Sequence, residues 1–238
     1  MDLPDITEWL VAELRKLRFQ PPVAHVYNPL EYAAAPHRLY LERYGRPPRE
    51  VVLLGMNPGP FGMVQTGVPF GDVGMVRDWL GIEAPVERPA AEHPKRPVEG
   101  FASQRSEVSG RRIWSWARDT YATPERFFER LFVANYCPLA FLEESGRNRT
   151  PDKLRAAERK ALFTSCDEAL RRTVEVLKPR LVVGIGRFAE ARARAALGDT
   201  EVGIGNVLHP SPANPRANQG WAEQAASQLA ALGIWPEP

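Results

Sequence analysis

VVLLG at Val51–Gly55 is a continuous aliphatic run closed by a glycine, and three comparable runs follow: LFVAN at Leu131–Asn135, LVVGIG at Leu181–Gly186 and GNVLH at Gly205–His209. Short apolar runs of this kind suit strands buried on both faces of a parallel sheet. Helical patterns fill the intervals between them. Ser109–Tyr121 carries Ile113, Trp114 and Trp116, and Thr123-Pro124 has the cap-plus-proline start of a further helix. Thr150-Pro151 is expected to open a long helix, with Leu154, Leu162, Cys166, Leu170, Val174 and Leu177 near helical spacing and a stop before Pro179. Phe188–Leu197 and Ala222–Leu232 read as two more. Strands alternating with helices predict an α/β fold, a three-layer αβα sandwich around a central, mostly parallel four-stranded sheet.

Outward from that core, the first fifty residues predict a helical preface packed on the sandwich. Asp5 is expected to cap a stretch with Trp9, Leu10, Leu14 and Leu17, and Asn28-Pro29 to start a run holding Tyr32, Leu39 and Tyr40. Gly81–Gly100, with Pro85, Pro89, Pro94 and Pro97, suits a surface loop rather than a linker, because strands on both sides are needed to complete one sheet. A single domain over residues 1–238 is therefore expected.

Composition narrows the function classes. With 44% hydrophobic and 25% charged residues, the chain is not a disordered one. No apolar stretch approaches the ~20 residues of a membrane span, and MDLPDITEWL sets acids and a proline where a secretory signal would be basic and then greasy. Cys137 and Cys166 are too few for a disulfide framework, a four-cysteine zinc site or an Fe–S cluster, and both suit packing. The expectation is a monomer that is neither secreted nor membrane-bound, cytoplasmic in a bacterium or nuclear in a eukaryote. Its 31 Lys+Arg against 29 Asp+Glu give a net charge of +2, too mild to announce a nucleic-acid partner by field alone.

Ligands of open parallel α/β sheets bind beyond the carboxyl ends of the strands, so the residues that follow each run are the candidates. The first run leads into Gly55-Met56-Asn57-Pro58-Gly59-Pro60-Phe61-Gly62 and then Pro69-Phe70-Gly71-Asp72. The second ends at Asn135, the third at Gly184-Ile185-Gly186, and the fourth at His209-Pro210-Ser211-Pro212. Asn57 either satisfies backbone in a rigid Pro/Gly turn or presents a carboxamide to a ligand. Asn135 at the end of an apolar strand needs partners for both ends of its amide. Phe70, in a loop, suits stacking on a planar ligand. Gly184-Ile185-Gly186 resembles half of a dinucleotide fingerprint, but no acid follows at the ribose position, and a tight strand-to-helix turn explains it better. No zinc spacing, Walker loop or nucleophile elbow is present. No metal or cofactor is expected.

GMNPGPFGMVQTGVPFGDVGMVRDWLG (Gly55–Gly81) and HPSPANPRANQGW (His209–Trp221) closely resemble the two signature segments of the single-strand-selective monofunctional uracil-DNA glycosylases, family 3 of the uracil-DNA glycosylase superfamily. EHPKRPV (Glu92–Val98), SEVSG (Ser106–Gly110), CPL (Cys137–Leu139) and SGRN (Ser145–Asn148) extend the likeness, which runs from about Tyr27 to the C-terminus. The resemblance implies hydrolysis of the N-glycosidic bond of uracil, 5-hydroxymethyluracil and related bases in single- and double-stranded DNA. It implies that Asn57 holds the attacking water, helped by the backbone of Met56, and that His209 stabilises the departing base. Phe70 would stack on the extruded base and Asn135 would read its edge, with Gly59 and Met63 near its 5-substituent. Pro210, Ser211, Pro212, Ala213, Asn214 and Arg216 would meet the DNA. Vertebrate members carry Arg at the position of Ala213, where it plugs the vacated helix; an Ala cannot, and Arg216 stands close by to compensate or simply to contact phosphate. Lys95, Arg96, Arg147 and Arg149 could add charge to a DNA groove. Two other readings stay open at this level: a superfamily member preferring deaminated purines (xanthine, hypoxanthine), and a non-catalytic lesion- or single-strand-binding protein.

Overall fold

In the computed structural model, which describes residues 1–234, the chain begins with α1 (Leu3–Leu14), β1 (His25–Tyr27), α2 (Pro29–Tyr32), α3 (Ala34–Tyr44), β2 (Val51–Gly55) and α4 (Met63–Thr66). There follow α5 (Val108–Tyr121), α6 (Pro124–Arg130), β3 (Leu131–Asn135), β4 (Ala140–Leu142) and β5 (Asn148–Arg149). The chain then forms α7 (Ala156–Leu177), β6 (Leu181–Ile185), α8 (Arg187–Leu197), β7 (Gly203–Val207) and α9 (Trp221–Ala231). The main sheet has the order β3-β2-β6-β7 and is parallel throughout. Every residue of β2 and β6 is buried, which is why those runs are apolar at each position rather than alternate ones.

The strand order also dictates the layers. The chain moves outward in one direction from β2 to β3, and in the opposite direction from β3 to β6 and from β6 to β7. Right-handed crossovers therefore put α5 and α6 on one face and α7 and α8 on the other. Contacts agree: α7 packs on α8, and α9, which follows β7, packs on α5. The αβα sandwich with a four-stranded parallel core is the expected architecture.

Several local expectations are corrected. The fourth strand is Gly203–Val207, two residues earlier than GNVLH, because Val182 and Ile185 of β6 pair with Ile204 and Val207. His209 thus lies beyond the strand rather than ending it. The third strand likewise ends at Ile185, and Gly186 turns the chain with φ +88°. Thr150-Pro151 opens only a 3-10 turn over Pro151–Lys153; Leu154 then goes extended, and α7 starts afresh at Ala156. Asp2, not Asp5, caps α1, and Asp5 closes the capping box by accepting from the Asp2 amide. The preface is not wholly helical, because β1 pairs antiparallel with β4, which pairs with β5 in a small second sheet. Gly81–Gly100 is irregular, as its prolines predict. No helix among the described residues is long and apolar enough to cross a membrane.

Candidate active site

At the carboxyl rim, the floor of the site is Gly55. A Cβ there would overlap Asn135 Oδ1 and the edge of the Phe70 ring, so only glycine allows these two side chains to meet over the end of β2. Asn135 Nδ2 lies 3.2 Å from Met63 Sδ, while its Oδ1 is buried without a hydrogen-bond partner. The His209 ring centre is 6.3 Å from that of Phe70. Four residues from four separate segments thus border one space: Met63, Phe70, Asn135 and His209.

The chain holds β2 in register past its formal end. Tyr136 N–H donates to Gly55 O at 2.9 Å and Cys137 N–H to Met56 O at 2.9 Å. Asn57, next in line, donates through Nδ2 to Leu139 O at 3.1 Å. That fixes the carboxamide and leaves Oδ1 as the end able to accept from a water. Tyr136 is itself anchored: its hydroxyl donates to Asp167 at 2.7 Å, and Arg192 grips the same carboxylate.

Phe70 is held in the left-handed region at φ +54°, a conformation that costs of order 1–3 kcal/mol and persists only where its surroundings enforce it. Here Trp114 Nε1–H donates to Phe70 O at 3.1 Å, and Asp72 N–H donates to the same oxygen at 2.9 Å. Gly110 lies against that carbonyl so closely that any Cβ would overlap it. One residue before α5, Glu107 places its carboxylate where a Cβ of Gly59 would be and its methylene stem where a Cβ of Gly62 would be. Burial raises the Glu107 carboxyl above the usual range, the Ser109 backbone N–H opposes this, and the Asp72 charge raises it further. Asp72 in turn accepts from Ser106 Oγ at 2.7 Å and from Glu107 N at 3.0 Å.

His209 sits against Gly186, where a Cβ would lie 3.1 Å from its own. Its Nδ1 accepts the Ser211 backbone N–H at 3.1 Å, which places the ring proton on Nε2. Burial lowers its pKa below the ordinary 6.5, so the neutral ring with an Nε2 donor is the form at neutral pH. The following loop is self-ordered: Ala213 N–H donates to Ser211 Oγ at 3.2 Å, and Arg216 N–H to Asn214 Oδ1 at 3.1 Å. Arg112 ties this loop to α5 through Pro210 O at 2.8 Å and Asn218 Oδ1 at 2.9 Å. Pro212, Ala213 and Arg216 stand exposed at its tip.

The structure therefore gathers Met56, Asn57, Gly59, Met63, Phe70, Asn135 and His209 on one rim, with Pro210–Arg216 alongside. Sequence reasoning gave Gly55 only as the start of the first candidate stretch and signature segment, and gave no site role to Glu107, Gly110, Arg112 or Trp114. The SEVSG likeness was the one signal that pointed toward two of them. Cys137 and Cys166 are buried and unpaired, in keeping with packing roles.

A parallel sheet with a base-sized aromatic and carboxamide rim defines a class, and the comparisons name it. The family described as the uracil DNA glycosylase superfamily matches residues 42–230, and the chain belongs to it. Within it, the chain sits with the single-strand selective monofunctional branch. It is 54% identical over 229 residues to the single-strand selective monofunctional uracil DNA glycosylase of Mus musculus, covering 95% of this chain and 82% of the mouse protein. The Bos taurus protein of the same name is 54% identical over 226 residues, 94% of this chain and 83% of the other. Among solved structures, wild-type Pedobacter heparinus SMUG2 superposes with a TM-score of 0.70 at 19% identity, over 98% of this chain and 99% of that one, a likeness of fold.

Proposed function

We propose that this protein is a monofunctional base-excision glycosylase that hydrolyses the N-glycosidic bond of uracil and 5-hydroxymethyluracil in DNA, leaving an abasic site. The observation that carries this reading is the buried, unpartnered Oδ1 of Asn135 beside the Phe70 ring. An acceptor withheld from water costs about 1–3 kcal/mol unless a ligand answers it. Uracil answers it: N3–H donates to Oδ1, O4 accepts from Nδ2, and the ring stacks on Phe70. Cytosine offers the inverse pattern and would leave buried groups unpaired.

The chemistry follows the charge. The C1′–N1 bond breaks ahead of water attack, leaving an oxocarbenium-like sugar and an electron pair on the base. Negative charge gathers at O2, where His209 Nε2–H donates; a preorganised donor of this kind contributes ~3–4 kcal/mol. Asn57 Oδ1 orients the water that adds to C1′, whose proton passes to solvent. A carboxamide suffices because little base strength is needed once the bond has opened. Neither Gly55–Gly81 nor His209–Trp221 contains a lysine, so these segments bring no amine for a Schiff base.

The test is release of free base from matched single- and double-stranded oligonucleotides carrying uracil or 5-hydroxymethyluracil. The expected product is an abasic strand without scission. Binding without release of either base would sink the proposal.

A further inference from the structure

Phe61 lies on the same turn as Asn57, and two guanidinium groups lie over its ring, Arg105 at 5.0 Å and Arg96 at 5.6 Å from the centroid. Each would be favourable alone. Together they bring two like charges to one half-buried ring, and neither has a carboxylate partner among the described residues. Arg96 Nε is moreover buried with no hydrogen-bond partner. Lys95 and Arg147 next to them are exposed and also lack a carboxylate partner among the described residues. A cluster of unpaired cations on an aromatic face is an arrangement that an anion would stabilise.

We infer that Phe61, Arg96 and Arg105 form a strand-gripping subsite for the phosphodiester backbone of single-stranded DNA flanking the extruded nucleotide. The inference rests on the proposed glycosylase function and adds to it. The subsite lies on the turn after β2, whereas the Pro210–Arg216 loop leaves β7, two strands away in the sheet. The strand is thereby held on both sides of the pocket. An aromatic ring flanked by arginines is suited to an unpaired strand, since it grips backbone and base face without reading sequence. It also supplies hold on the substrate that Ala213, with no side chain to fill a helix gap, does not.

Arg105 is exposed and outside the chemistry, so its replacement leaves fold and bond cleavage intact. The experiment measures, on the full chain, binding to a uracil-free single strand across a salt series, and KM and kcat for uracil release from a single strand. For Arg105→Ala the expected result is a KM and Kd about three- to tenfold weaker, with kcat within about twofold of the parent. The slope of log Kd against log salt should become shallower by about 0.7, the loss of one phosphate contact. Arg105→Lys, which keeps the charge, should restore the slope. An unchanged Kd and slope in Arg105→Ala would overturn the subsite. A parent protein that shows the salt behaviour but releases no uracil would overturn the glycosylase reading and leave the subsite standing.

Discussion

At the scale of single residues, the site is read most sharply through His209. Its Nδ1 is occupied by the Ser211 amide and burial lowers its pKa, so the donor proposed for a departing base is neutral. Protonation would put a hydrogen on Nδ1 facing another N–H, and the ring would have to leave its place. Activity should therefore be flat near neutrality and fall only on the acid side, with a midpoint in kcat/KM below 6.5; an acid limb centred above 6.5 would contradict this account. His209→Ala should lose about 10²-fold or more in kcat, the scale of one preorganised donor. Asn57→Ala should lose release while retaining binding, because its fixed carboxamide is assigned to the water rather than to the base. These residues were legible in the sequence as polar side chains just past predicted strand ends, where the structural alternative for Asn57, satisfying backbone in a Pro/Gly turn, was separated from a ligand role only by the resemblance. Ala213 was legible as a departure, and it carries its own expectation: Ala213→Arg should raise uracil release from duplex relative to single strand, measured as the ratio of the two rates.

At the scale of elements, α5 is the support on which the rim is built. Glu107 at its start, then Gly110 and Trp114 at roughly helical spacing, meet the Asn57 turn and the Phe70 carbonyl, while Arg112 reaches the loop after His209. The sequence showed this helix only as an amphipathic segment with Ile113, Trp114 and Trp116. Its service to the site was hidden, because it acts through backbone atoms of distant segments and not through side chains facing a ligand. The same limit explains β7: Gly203-Ile204-Gly205-Asn206-Val207 is too weakly apolar to reveal its own register, which is set by pairing with β6 and by Leu232 packed on Gly205. It explains β1, β4 and β5 too, since strands of two or three residues carry no period. Gly110→Ala tests the support directly. Its Cβ would overlap Phe70 O, which cannot yield without moving the ring, and a displacement of about 1 Å costs on the order of 10²-fold in rate. Gly74→Ala is the control, with φ −62° and nothing nearer than 3.6 Å to the new atom. kcat/KM should collapse in the first and hold in the second; equal activity in both would show that α5 does not position Phe70.

At the scale of the whole molecule, the preface and the rim are one structure. His37 on α3 is buried, and its Nδ1–H donates to Gly67 O at 2.8 Å, at the left-handed turn (φ +70°) that leads from α4 to Phe70. Its other nitrogen lies 3.5 Å from Thr7 Oγ1 on α1. The N-terminal helices, which the sequence presents only as packing, thus hold the far end of the site loop. Burial lowers the His37 pKa to about 4, with the Gly67 bond opposing the shift. Between pH 6.5 and 4 the unfolded chain binds a proton at this residue that the folded chain refuses, so unfolding is increasingly favoured as pH falls. The stability tied to keeping this ring neutral is complete above pH 6.5 and lost progressively below it, by up to ~3 kcal/mol near pH 4. Chemical denaturation at a series of pH values should show this decline, with a smaller decline of the same sign from His209. His37→Asn, whose Nδ2 can still reach Gly67 O but which does not titrate, should flatten the larger part of it while retaining uracil release at neutral pH. A variant with the parent's full pH dependence would place the acid sensitivity elsewhere and detach the preface from the loop it is argued to hold.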